Sequence, residues 1–182
     1  MFETIINKRQ NRLLRKMTSA DRAKRIANLD EIGLVGIVFA VGSESEWNIL
    51  YNFAREMEHQ KKQVHLIGLQ PAEMEISYIF THSQTSVLHA KEDLNFWGIP
   101  KEGTIEGFTS RHYELLIDAT ASHDFFTRYV VAKSPADLKV AYAQEEQREL
   151  EQVYDLLIRD SKPFALTAYL EQIKRYLKMI QK

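Results

Sequence analysis

A continuous apolar run, GLVGIVFAV (33–41), is followed by apolar residues that recur at helical spacing. The run is short and rich in valine and isoleucine, which is typical of a strand buried on both faces. Gly42 permits a tight turn, Ser43 is a natural N-cap, and Glu46 three residues later completes a capping box. Residues 33–62 therefore predict a strand, a turn and a long helix, which form the first half of a βαβ unit.

The same alternation of strand and helix patterns continues along the rest of the chain. Further strands are predicted at 63–69, 76–80, 86–89, 114–119, 138–143 and 154–158. Helical segments are predicted at 104–110, at 124–134 with Ser122 as the cap, and from Pro163 through the apolar face of 166–180. The stretch DLNFWGIP (93–100) predicts an ordered loop, in which Phe96 and Trp97 either plug the sheet, the interpretation we favour, or form an exposed partner site.

Strands that alternate with helices predict a mostly parallel sheet covered by helices on both faces. We therefore expect a single three-layer Rossmann/flavodoxin-like α/β domain over residues 30–182. A basic helical arm is expected to precede it over residues 1–29. At 182 residues the chain is long enough to bury the core that such a domain needs.

Ligands in parallel sheets bind outside the carboxyl ends of the strands, near the point where the strand order reverses. Two loops occupy such positions, residues 42–46 after the first strand and residues 118–124 (DATASHD) after the central one. In the commonest strand orders these two strands are neighbours. We expect the two loops to face each other across one crevice.

The first loop, together with Thr120 of the second, offers groups that could bind a small phosphorylated or acidic ligand. Gly42, Ser43 and Ser45 lie at a predicted helix N-terminus, where free backbone N–H groups attract anions. Capping alone also accounts for Ser43, and Glu44 and Glu46 beside it would repel an anion.

The second loop holds the densest polar cluster of the domain. Asp118, His123 and Asp124 are the candidate acid/base residues of an enzyme. An aspartate at a strand end followed by a helix cap is also ordinary loop architecture, so a purely structural role is the alternative.

The net charge of −1 hides an uneven distribution. Residues 1–29 hold eight basic and two acidic residues, a formal charge of +6, which leaves −7 for the remainder. Residues 8–25 could therefore contact RNA or an acidic partner. A solvated helix lying across the edge of the domain explains the same pattern.

Several kinds of function and location lack their sequence signals. The chain has no cysteine, which removes disulfides, cysteine zinc sites and thiol chemistry. It has no G-x-G-x-x-G, no P-loop and no G-x-S-x-G motif, and its six histidines are dispersed, so we expect no metal site and name no cofactor. Without a membrane span or an export signal, we expect a cytoplasmic protein.

Two stretches of sequence resemble known families. The segment VGSESEWNIL (41–50) resembles the G-S-x-S-D-W motif of aminoimidazole ribonucleotide carboxylase/mutase, with Glu46 in place of the aspartate. This resemblance implies substrate binding by Gly42, Ser43, Ser45 and Glu46. It covers about ten residues.

The second resemblance extends over most of the chain. KEDLNFWGIP (91–100), YELLIDAT (113–120), VVAKSPADLKVAYA (130–143) and the terminal YLKMI (176–180) resemble an uncharacterised bacterial family of small α/β proteins of unknown function. The resemblance implies a bacterial cytoplasmic protein and supplies no activity.

Three hypotheses for the function follow from these patterns. The first is a binding or interaction module, with a small phosphorylated or acidic ligand in the crevice. The second is an enzyme acting on a nucleotide-like or sugar-phosphate substrate. The third is a nucleic-acid-associated factor that works through the basic arm.

Overall fold

The structure, a computed structural model, describes residues 2–18, 22–74, 82–144, 150–160 and 163–181. The strand predicted at 76–80 lies outside the described residues.

Six parallel strands form one sheet in the order β3-β2-β1-β4-β5-β6. They are β1 Leu34–Ala40, β2 Gln63–Gln70, β3 Thr85–His89, β4 Tyr113–Asp118, β5 Ala136–Ala143 and β6 Leu156–Arg159. The helices are α1 Phe2–Thr18, α2 Glu44–His59, α3 Ala90–Asp93, α4 Glu106–Thr109, α5 Phe125–Lys133 and α6 Leu166–Lys178. The short helix α3 was not predicted from the sequence.

Helices cover both faces of the sheet and divide the core into two layers. On one face, α2 and α6 pack their apolar residues against the side chains of β1, β2, β4 and β5. On the other face, α4 and α5 enclose a second apolar cluster centred on Tyr113 and Leu116. Because both faces are buried, the strands are continuously apolar rather than alternating. The predicted three-layer α/β fold with a parallel sheet is confirmed.

The boundaries of α2 confirm the local prediction made for residues 33–62. The Ser43 hydroxyl accepts a hydrogen bond from the Glu46 amide at 3.2 Å, and Glu46 Oε2 accepts one from the Ser43 amide at 2.9 Å. These two bonds are the capping box, which satisfies two helix-terminal donors within four residues of sequence.

The cap predicted for α5 is wrong by two residues. Asp124, not Ser122, is the N-cap, and its Oδ1 accepts a hydrogen bond from the Thr127 amide at 2.9 Å. His123 has a positive φ of 45°. This left-handed turn delays the start of the helix until residue 125, so the helix cannot begin beside Ser122.

The segment that precedes β1 is bound to the domain at several points. The Arg25 amide donates to the Asp137 carbonyl at 3.1 Å, and Arg22 forms an ion pair with Asp155. Asn28 Nδ2 donates to the Ile180 carbonyl at 2.7 Å. These bonds hold the segment along the amino ends of β5 and β6. The division of the chain at residue 30 into an arm and a domain stays a prediction.

Candidate functional site

The strand order changes direction between β1 and β4, and this places the two predicted loops side by side. Val38 pairs with Asp118, and the Ala119 amide donates to the Val38 carbonyl at 2.8 Å. The two loops therefore begin at adjacent strand ends, and we use the word crevice for the region between the turn at 42–46 and the loop at 118–124.

Glu46 occupies two of the donors that the first turn offers, the amide and the hydroxyl of Ser43. Its Oε2 accepts from the Ser43 amide, and the Ser43 hydroxyl lies 3.1 Å away. A Cβ atom at Gly42 would lie 2.2 Å from the same oxygen, so glycine is needed for the carboxylate to fold back. The turn thus presents negative charge to solvent, since its exposed residues are Ser43, Glu44, Ser45 and Glu46. Among the described residues, no contact of Ser45 marks it as a ligand-binding residue.

Asp118 lies at the carboxyl end of β4 and is fully buried. Its Oδ1 accepts from the amide and the hydroxyl of Thr120, at 2.9 and 2.7 Å. Its Oδ2 accepts from His123 Nδ1 at 2.7 Å and from the Tyr154 hydroxyl. Four donors surround one carboxylate, which offsets the cost of burying its charge.

His123 is held equally firmly. Its side chain is nearly buried, and Nε2 lies 2.6 Å from the Tyr142 carbonyl. A carbonyl can only accept, so Nε2 carries a proton; Nδ1 faces the Asp118 carboxylate and carries the second. The ring is therefore an imidazolium with both nitrogens engaged.

The electrostatic environment of this cluster favours the charged pair. Burial lowers the pKa of His123, but the hydrogen bond to Asp118, its negative charge and the bond to the Tyr142 carbonyl together raise the pKa above its usual value. Burial, followed by the charge of Asp118, raises the pKa of Tyr154 and of Tyr169 well above the usual range. Both tyrosines stay protonated and act as donors.

The cluster ties three other parts of the fold to the end of β4. His123 reaches β5 through Tyr142, Tyr154 precedes β6, and the Tyr169 hydroxyl of α6 donates to the Asp118 carbonyl at 3.0 Å. The sequence pattern brought Asp118, Thr120 and His123 together but missed the tyrosines. Tyr154 and Tyr169 occupy apolar positions in their segments, so their hydroxyls gave no separate signal.

The predicted acid/base residues thus have different surroundings. Asp118 and His123 meet, with their polar atoms bonded to protein groups in the described part of the chain. Asp124 is exposed and caps α5 instead of joining them. Thr120 is buried, with its hydroxyl on Asp118. This arrangement can fix the position of the loop, and it turns no free imidazole nitrogen toward the crevice.

The stability of the protein is expected to decrease as the pH rises through the folded-state pKa of His123. Because the pKa of His123 is higher in the folded protein than in the unfolded chain, the His123–Asp118 pair stabilises the folded state fully below the unfolded pKa of about 6.5. This contribution is lost as the pH rises through the folded-state pKa. Urea unfolding from pH 5.5 upward, compared with His123→Asn, would measure the difference. Asparagine tolerates the left-handed backbone here. Parallel pH curves for the two proteins would contradict the imidazolium assignment.

A second polar surface lies on α1, far along the sequence from the crevice loops. Five exposed cations, which we term the basic face, occupy about two turns of this helix: Lys8, Arg9, Arg12, Arg15 and Lys16. The opposite side of α1 is fixed by buried Leu14 and by Gln10, whose Nε2 donates to the Trp97 carbonyl at 2.9 Å. The helix therefore holds its charges in one direction.

The loop at 93–100 lies beside this basic face. The Arg9 guanidinium stacks 4.3 Å from the Trp97 ring, and the Phe96 ring packs edge-on against Trp97 at 5.4 Å. Phe96 remains 69% exposed. The prediction that these aromatic residues plug the sheet is wrong, because α1 takes Trp97 as its packing partner and leaves Phe96 in solvent.

A cluster of metal-ligating residues and a membrane-spanning helix are both absent from the described ranges. These ranges contain no group of three or more histidine or acidic residues placed to hold a metal ion. None of their helices is both long and apolar enough to span a membrane.

Comparison with known proteins gives one result. A model described as a family of unknown function (DUF6913) matches residues 3–180. Neither the curated proteins nor the solved structures gave a match. The likeness of the first turn to aminoimidazole ribonucleotide carboxylase/mutase stays a local resemblance. Since the family model covers nearly the whole length, the chain belongs to this family of unknown function.

Proposed function

We propose that this protein is a non-enzymatic binding module that holds single-stranded nucleic acid on the basic face of α1, beside Phe96. The observation that carries the proposal is the contact between α1 and the loop at 93–100, in which Arg9 of the basic face stacks on Trp97 and the exposed Phe96 ring packs against the same Trp97. Proteins that bind single strands combine a positive track for the phosphates with aromatic rings on which bases stack.

The charge on α1 suits a phosphate backbone. Residues at i, i+3, i+4 and i+7 of a helix share one side, and Lys8, Arg12 and Arg15 follow this spacing. An open depression of about 480 Å³ is lined by these three residues together with Asn11 and Lys16. A strand of nucleic acid lying there would exchange condensed counterions for these side chains, which is the main source of affinity in such complexes.

The exposed Phe96 ring distinguishes a nucleic acid from an acidic protein as the ligand of the basic face. Phe96 is anchored by its ring contact with Trp97, which is in turn anchored by Arg9 and Gln10. A base stacked on an aromatic ring contributes about 1–3 kcal/mol. This stacking energy favours nucleic acid over an acidic protein surface.

The crevice supports ligand binding less well. Its solvent side carries Glu44, Glu46 and Asp124, which disfavour a phosphorylated or acidic ligand. The Asp118–His123 pair is engaged by neighbouring residues, which supports a structural rather than a catalytic role.

Phe96→Ala is expected to weaken the binding of a short fluorescent single-stranded RNA by about 1–3 kcal/mol in an anisotropy titration. The double variant Arg12→Ala/Arg15→Ala should reduce the slope of log affinity against log salt by about 0.7 for each phosphate that is no longer neutralised. Met179→Ala is the matched control for Phe96, because Met179 is 73% exposed at the far end of the chain, and should change neither quantity.

The same titration separates the alternatives. Absence of binding at low salt, or equal weakening by Met179→Ala, would overturn the proposal. Equal affinity for polyglutamate, independent of Phe96, would instead indicate an acidic protein partner.

A further inference from the structure

A cavity of about 350 Å³ lies at the amino ends of β5 and β6, on the opposite edge of the sheet from the crevice. We term it the amino-end cavity. Its walls come from the end of α1, from Arg22 and Lys24, from the end of α5, from Lys139 of β5 and from the turn before β6. The volume is at the small end of the range for ligand sites, about 300–1,000 Å³.

The charged side chains that line the amino-end cavity leave it positively charged. They are Arg22, Lys24, Lys133, Lys139, Glu151 and Asp155. Four cations and two carboxylates give a formal charge of +2. Two of these groups also form ion pairs outside the cavity: Glu151 contacts Arg159 at 3.3 Å, and Lys133 contacts Glu106 at 3.0 Å.

Asp155 offsets only one of the three positive charges that remain, which are those of Arg22, Lys24 and Lys139. Its Oδ2 contacts Arg22 and accepts from the Lys139 amide at 2.9 Å, and its Oδ1 lies 3.0 Å from Lys24. Two cations therefore share one carboxylate. The Lys24 side chain is 62% exposed and can turn toward a ligand without leaving the protein surface.

Lys139 is the buried cation among the side chains that line the amino-end cavity. It is only 4% exposed, and its Nζ donates to the Val131 carbonyl at 2.6 Å and lies 3.4 Å from the Ala132 carbonyl. In the described part of the chain no carboxylate forms an ion pair with it. Burial first, and then the charge of Arg22, lower the pKa of Lys139 to about 8, with Asp155 opposing them.

We infer that the amino-end cavity binds a small anion bearing a phosphate or carboxylate group, with Lys139 and Lys24 as its principal cationic contacts. A buried ammonium without an acidic partner is costly, and a bound anion would supply the missing charge. Lysine is a point-charge ligand for phosphate and carboxylate oxygens. This site is separate from the nucleic-acid site proposed above, because none of the five basic-face cations lines the amino-end cavity.

The test is isothermal titration of the full chain with sulfate, as a tetrahedral dianion, and separately with citrate, as a carboxylate. Neither probe titrates near pH 8, so any proton taken up on binding comes from the protein. An anion beside Lys139 raises the pKa of this ammonium, and up to about half a proton should be taken up per site near pH 8. Titrations in buffers of different ionisation enthalpy measure this uptake.

Variants make the assignment specific. Lys139→Met should abolish the proton uptake, and Lys24→Ala, at an exposed position where folding is safe, should weaken binding at least tenfold. Arg12→Ala on the basic face is the matched control and should bind both probes like the natural chain. Tighter sulfate binding assigns a phosphate-bearing ligand, and tighter citrate binding assigns a carboxylate-bearing one. Absence of binding, unchanged binding by Lys24→Ala, or binding abolished in Arg12→Ala would overturn the inference.

Discussion

Asp118→Ala is expected to lower the free energy of unfolding by about 3–5 kcal/mol, the usual cost of removing one partner of a buried ion pair. The change leaves the His123 imidazolium without its counter-ion and deprives Thr120 and Tyr154 of their acceptor. Urea unfolding followed by tryptophan fluorescence measures the loss as a lower midpoint with an unchanged slope.

Asp124→Ala is the matched control for this prediction. This variant also removes an aspartate carboxylate, but Asp124 is an exposed N-cap and lies six residues after Asp118. Loss of a cap costs about 1 kcal/mol. If the two variants lost equal stability, the Asp118 cluster would not have the structural role that its hydrogen bonds indicate.

Gly68→Ala is expected to destabilise the protein by about 1–3 kcal/mol, the cost of overpacking a well-filled core. Gly68 pairs with Phe39 across β2 and β1, and an added Cβ would lie 2.5–2.8 Å from three atoms of the Phe39 ring. Both residues are in central strands, so the ring can move only by displacing other core side chains.

Gly107→Ala provides the comparison, because a Cβ there would meet no atom of the described residues within 4 Å. Alanine in the short helix α4 is expected to leave stability unchanged or to raise it by about 0.4–1 kcal/mol, since the unfolded chain loses conformational freedom. Thermal unfolding of the Gly68→Ala and Gly107→Ala proteins tests both predictions. A Gly68→Ala protein as stable as Gly107→Ala would show that the ring of Phe39 is not closely confined.

The crevice shows where sequence reasoning reached its limit. Asp118 and His123 are five residues apart, so their meeting in one loop could be predicted. Tyr154 is 36 residues beyond Asp118, and only the pairing of β4, β5 and β6 brings its hydroxyl there. The two residues were candidate acid/base groups because the Tyr154 hydroxyl and the Tyr142 carbonyl, which engage them, lie outside the local pattern.

The basic segment shows a similar limit. The sequence places the charges on α1 but supplies no aromatic residue among them after Phe2. Packing of α1 against Trp97, 87 residues beyond Gln10, adds Phe96 to this surface. The amino-end cavity arises in the same way, because Arg22 and Lys24 line one cavity with Lys139 only when the segment runs along the strand ends.

Elements that have local causes could be predicted from the sequence. The apolar run at 33–41, the capping box at Ser43 and Glu46, and the periodic face of α6 each predict their structure through contacts within a few residues. Which polar groups are hydrogen-bonded and which remain exposed could not be predicted from these local patterns. That outcome depends on partners distant in the chain, which meet through the strand order and the burial of both faces of the sheet.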